Sequence, residues 1–125
     1  MVTSRARNVA SWVLVALLGA AYGMAALGKL TGTASPMFEA WGYPPWFATL
    51  IGVAELAGAI GLLIPRLTRL AILGLSAVML GAAYTHLANA EGLAVLQPLI
   101  FVGLMWIVWW LRRPHATDRG GPGSP

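Results

Sequence analysis

The sequence predicts an all-α fold, a polytopic membrane four-helix bundle with N and C termini cytoplasmic. Three observations carry this expectation. First, 58% of the 125 residues are apolar, more than a soluble domain of this size buries in one core. Second, the apolar residues gather in four blocks, giving spans over about 9–30, 46–64, 69–88 and 93–111. Each is close to the roughly 20 residues that cross about 30 Å of hydrocarbon as a helix. Rich Ala, Leu and Gly content without period-two alternation argues against a β-barrel. Third, positive charge alternates with the spans. Arg5 and Arg7 precede the first, Arg66 and Arg69 separate the second and third, and Arg112, Arg113 and Arg119 follow the fourth. Lys and Arg concentrate on cytoplasmic loops, so both termini and the second connection are expected inside, in a cell inner membrane.

The same arginines account for the formal charge of +4, which reads as topology and predicts no nucleic-acid partner. A cleaved signal peptide is the competing reading of the N-terminus. The first apolar stretch is longer than the usual apolar core of such a peptide, and Gly28-Lys29-Leu30 makes no small-residue cleavage site. One domain over residues 1–113 is expected, followed by a polar, Gly/Pro-rich cytoplasmic tail over 114–125 that is expected to be disordered. His115 belongs to that tail and carries no functional weight.

Segment one places Tyr22, Ala26 and Lys29 on one face, and its Gly19 and Gly23 form a GxxxG that favours close helix contact in lipid. In the connection over 31–45, Ser35-Pro36 resembles a helix start, with Ser as N-cap and Pro in the first helical position. Glu39 then falls in the first turn, where the helix dipole favours an acid. A short interfacial helix over 36–41 is expected over the mouth of the bundle, ended by Gly42-Tyr43-Pro44-Pro45. Segment two carries Glu55 in mid-span, on a face shared with Gly52, Gly58 and Ala59. Segment three places His86 with Met79, Ala82, Ala83 and Asn89. Segment four carries Gln97 a few residues in and Trp106, Trp109 and Trp110 toward its cytoplasmic end. These tryptophans, with Trp12 on one side and Trp41, Tyr43 and Trp46 on the other, read as interfacial belts.

Glu55 is the most informative residue. An ionisable side chain at the centre of a membrane helix costs about 2.5–3.5 kcal/mol on insertion scales and is tolerated where it meets a partner, a cavity or a ligand. Lys29, His86 and Gln97 lie at a similar level to it, in the outer half of the bundle. One reading has Glu55, His86, Lys29, Tyr22 and Gln97 lining one polar cavity, where an acid, an imidazole and an amine bind a small polar or quinone-like molecule. The other treats each alone: Lys29 snorkels to the interface, His86 sits among the headgroups, and Glu55 is a protonated structural acid. The chain has no Cys, which removes thiol chemistry and Cys-held metals. One His and one deep Glu make a poor metal ligand set, so no metal is expected.

Several stretches resemble the DoxX-like membrane proteins: Ala26-Leu27-Gly28-Lys29-Leu30, Gly42-Tyr43-Pro44 before Trp46, Ile51–Leu56 with Gly58–Arg66, and Gly81-Ala82 with Thr85-His86. The match runs over about residues 10–112. The resemblance implies a four-helix membrane bundle, and its matching polar positions are Lys29, Glu55 and His86. Relatives include a subunit of thiosulfate:quinone oxidoreductase and members linked to membrane oxidoreductase complexes, but fold analogy alone does not deliver function. The leading expectation is a lipid-embedded protein whose cavity binds a small amphipathic molecule, a quinone among the candidates, in support of a redox enzyme partner. The alternative is a non-catalytic membrane anchor or scaffold for a partner protein. A permease is disfavoured because one four-helix chain leaves little room for alternating access unless it forms a homo-oligomer. Whether the protein is itself catalytic, and through which residues, is left open by the sequence.

Overall fold

The computed structural model describes residues 4–112; the expected tail, with His115, lies outside them. Among the described residues there are helices and turns and no strand. The four long helices are α1 (Ser4–Leu30), α3 (Pro45–Leu63), α4 (Thr68–Ala88) and α5 (Leu96–Arg112), and α2 (Ser35–Ala40) is the short helix between the first two. Short 3₁₀ turns, Pro65–Leu67 and Gly92–Val95, lead into α4 and α5. By length and composition, four helices can cross a membrane. The first runs further N-terminally than the apolar block, to Ser4, because helix propagation continues through Arg5–Asn8 once the apolar turns are formed.

The long helices form a ring: α1 packs on α3, α3 on α4, α4 on α5 and α5 back on α1. Side chains fill only one half of its interior. Val15, Leu18, Leu62, Ile72, Leu75, Met105 and Val108 interlock toward the arginine-bearing end and are almost wholly buried. Large apolar side chains such as Leu17, Leu70 and Leu93 point outward instead. Exposed apolar surface on this scale marks contact with lipid in place of water.

Glycines in α3 set how closely its neighbours approach. A Cβ added at Gly58 would stand 2.5 Å from Leu75 Cγ, and one at Gly61 would stand 3.0 Å from the Ala71 Cβ. At Gly52 the clash would be with Lys29 Cβ at 3.0 Å. The GxxxG of α1 is only half used: Gly19 faces Ala59 and Leu63, whereas Gly23 meets nothing within 4 Å. A GxxxG spacing aligns two small residues on one face, but the crossing of the helices decides which of them is touched.

The short helix forms one residue earlier than the sequence predicts. Ser35 is its first residue and Ala34 its N-cap, with no side-chain cap bond, so the expected Ser35 cap is not made and Glu39 falls outside the first turn. Pro36 sits within the first turn, where its missing N–H costs nothing. Gly42 ends the helix with φ of 90°, a left-handed conformation that glycine takes without a Cβ penalty.

Candidate ligand cavity

Where the packed half of the ring stops, a cavity of about 600 Å³ begins, bounded by residues of all five helices. It follows from side-chain size: α1 contributes Ala21 and Ala25 and α4 contributes Ala77, Gly81 and Ala82, none long enough to reach the axis. Aromatic rings supply most of the remaining wall, with Tyr22, Phe38, Phe47 and Phe101 among them.

Glu55 lies in this wall with its side chain 3% exposed, and Lys29 Nζ approaches its Oε1 at 2.8 Å. Oε1 receives no hydrogen bond of good angle even so; the contact is an ion pair by distance, with room for a better-aligned donor. Gly52, one turn before Glu55, is what lets α1 come close enough for Lys29 to reach. Lys29 therefore turns inward, and its expected alternative of snorkelling alone to the interface does not occur. Tyr22, 1% exposed, spends its hydroxyl on Met105 Sδ at 3.5 Å and stacks obliquely on Phe101 at 5.3 Å.

His86 also borders the cavity, but its partner is not Glu55. Its Nδ1 lies 2.7 Å from Glu91 Oε1. The indole N–H of Trp41 donates to both Glu91 oxygens at 3.1 Å, and the Trp41 and His86 rings meet edge to face at 5.4 Å. The His86 imidazole and the indole hold the Glu91 carboxyl below its ordinary range. Gln97 is exposed and stands at the rim. All five residues expected at a shared site therefore border one cavity, with Lys29 and Glu55 paired and His86 engaged elsewhere.

Sequence reasoning missed several participants. Trp41 and Tyr43 read as belt residues, yet both border the cavity. The Tyr43 hydroxyl lies 2.6 Å from Thr85 Oγ1, which itself donates to Gly81 O at 2.9 Å. Trp46, by contrast, is 62% exposed, as a belt residue should be. The only earlier signal for Tyr43 and Thr85 was that both fall in stretches carrying the family resemblance. Glu91 gave none, because an acid in a polar loop is the ordinary case.

Fold and cavity together define a small multi-pass membrane protein, packed at one end of its bundle and hollow at the other. The chain belongs to the DoxX-like family, whose sequence profile matches residues 11–108. No curated protein and no solved structure matches it.

Proposed function

We propose that the protein binds a small, uncharged, amphipathic molecule in this cavity, with a lipid quinone as the best-fitting class, and thereby supports a membrane oxidoreductase. One observation carries the reading: a buried Lys29–Glu55 pair in the wall of an otherwise apolar, aromatic cavity. The two charges cancel, so a charged ligand would leave one group unbalanced at low dielectric. A neutral ligand with a carbonyl at one end can accept from the Lys29 ammonium, which has donors to spare. Flat rings suit the aromatic wall, and the volume lies within the usual range of about 300–1,000 Å³ for small-molecule sites. Redox chemistry would need a bound cofactor or a partner protein, because the chain has no thiol of its own.

The test is extraction of the purified protein followed by mass spectrometry. A discrete lipid-soluble carbonyl compound should accompany the wild type and be lost from Ala82→Phe, which fills the cavity from α4. Identical extracts from two folded proteins would refute the reading.

The reading also places α2 and the cavity mouth at the outer face of an inner membrane, with both termini cytoplasmic and α2 lying in the interface. Arginine flanks at the opposite end support this orientation. Reporters fused after Pro125 and inserted within 31–35 should give opposite signals, and equal signals would sink it.

A further inference from the structure

We propose that the Trp41 indole is the gate of the cavity and that Glu91 is the latch that holds the ring in place at its border. The inference rests on the cavity reading above and adds how the cavity is entered. Trp41 is the residue that ends α2, and its ring stands at the cavity border beside His86. Within α2 the ring meets Phe38 at 5.2 Å between centroids, an apolar contact that leaves the indole N–H to be held from elsewhere. What fixes it is the carboxylate of Glu91, which takes the indole N–H on both oxygens and the His86 imidazole on one. Glu91 is set there by its own backbone, whose N–H donates to His86 O at 2.9 Å. One side chain from the α4–α5 connection thus ties the end of α2 to the end of α4.

The rest of the lid is anchored independently. Phe38 is 5% exposed and packs against Trp41, Tyr43 and Phe47. Tyr43 is bonded to Thr85 on the half-buried side. The Glu91 cluster is the exposed tie, where water competes for every bond. Releasing it frees the Trp41 ring to change rotamer while α2 stays docked, a local motion on the time scale of side-chain flips. The other titratable groups at this end are Lys29 and Glu55, already paired, Tyr22 in the cavity wall, and Glu39, Tyr43 and Tyr84; the hydrogen bonds to Glu91 come from Trp41, from His86 and from no other side chain among the described residues. The latch is intact above the ordinary carboxylate range and lost only as pH falls through the lowered value of Glu91, since that group's protonation is disfavoured while the bonds persist.

The native chain has no Cys, so a single introduced thiol reports access cleanly. Ala25→Cys places it in the cavity wall, Thr33→Cys in the exposed connection and Val15→Cys in the packed half. Labelling by an uncharged thiol reagent, with no ligand added, should be slow at position 25 in the wild-type background. Glu91→Ala should raise it about tenfold, the factor expected from losing the equivalent of one good hydrogen bond. Trp41→Ala should raise it at least as much, and the double variant should match Trp41→Ala alone, because a latch has nothing to hold once the gate is gone. Rates at positions 33 and 15 should not change. Equal rates at position 25 with and without Glu91 would overturn the proposal. So would effects of the two variants that multiply, or parallel gains at position 15, which would mean general loosening. The measurement needs no bound molecule, so its failure is separate from failure of the quinone reading.

Discussion

Replacing Lys29 with Met should destabilise the bundle by roughly 3 kcal/mol, the lower end of the cost of stranding one member of a buried ion pair. Glu55 is left with its side chain 3% exposed and its nearest cation removed. The reverse change, Glu55→Leu, should cost less, because Lys29 is 15% exposed and its flexible stem can carry the ammonium toward the cavity mouth. Glu55→Gln should be milder still, since a neutral amide keeps a polar group of the same shape beside the ammonium. The double variant Lys29→Met/Glu55→Leu should regain most of the loss, as replacing both members of a buried pair with apolar groups is often neutral. It should also lose any ligand that depends on the polar end of the cavity. Thermal unfolding in mild detergent, followed by circular dichroism, reads the series. If Lys29→Met melts with the wild type, the pair is not holding α1 against α3. If the double variant is no better than the worse single, the two residues act separately.

The second large effect is expected at the opposite end. Arg112 is the last residue of α5, yet its guanidinium reaches every other long helix. Nε donates to Ser11 Oγ on α1, and Nη1 donates to Thr68 Oγ1 at 2.8 Å on α4 and to Leu62 O at 3.3 Å on α3. Its carbon lies 4.6 Å over the Trp12 ring. Arg112→Met should therefore cost about 3 kcal/mol, counting two charge-assisted hydrogen bonds at the lower end of their usual worth. Ser11, 2% exposed, would be the group left unpaired, because Thr68 keeps its own bonds to Leu62 O and Ile64 O. Arg112→Lys should recover less than half of the loss. A lysine keeps the charge but offers no planar fork to serve three acceptors and stack on indole at once. Full recovery by lysine in the same unfolding assay would show that charge alone matters and that the clamp does not.

Arg112 also shows where reading from sequence stops. As an arginine after an apolar run it is a topology signal, and composition offers no hint that its side chain folds back between helices. Trp12 read as a belt residue for the same reason. An aromatic at a membrane interface and an aromatic stacked on a guanidinium occupy the same place along the helix and differ only in which way the helix is turned.

Helical periodicity was enough to put Glu55 with Gly52, Gly58 and Ala59 on one face; Gly52, Glu55 and Ala59 are buried together, and Gly58 is half-buried. It was enough to place Tyr22, Ala26 and Lys29 on one side of α1, where Tyr22 and Ala26 are buried and Lys29 largely so. Hydrophobic length placed the four long helices to within a few residues, except for the polar first turn of α1. These are local properties: 3.6 residues per turn and the thickness of a bilayer fix them without reference to any neighbour.

What the chain meets across space was decided by packing. That Lys29 chooses Glu55, that His86 chooses Glu91, and that Trp41 and Tyr43 turn inward all depend on the rotation of each helix about its axis. So does the hollow itself, which exists because small residues of α1 and α4 face each other at one level while leucines fill the next. In a membrane protein the lipid-facing and ring-facing surfaces are both apolar. Hydropathy therefore cannot tell one from the other, and only the tertiary contacts can.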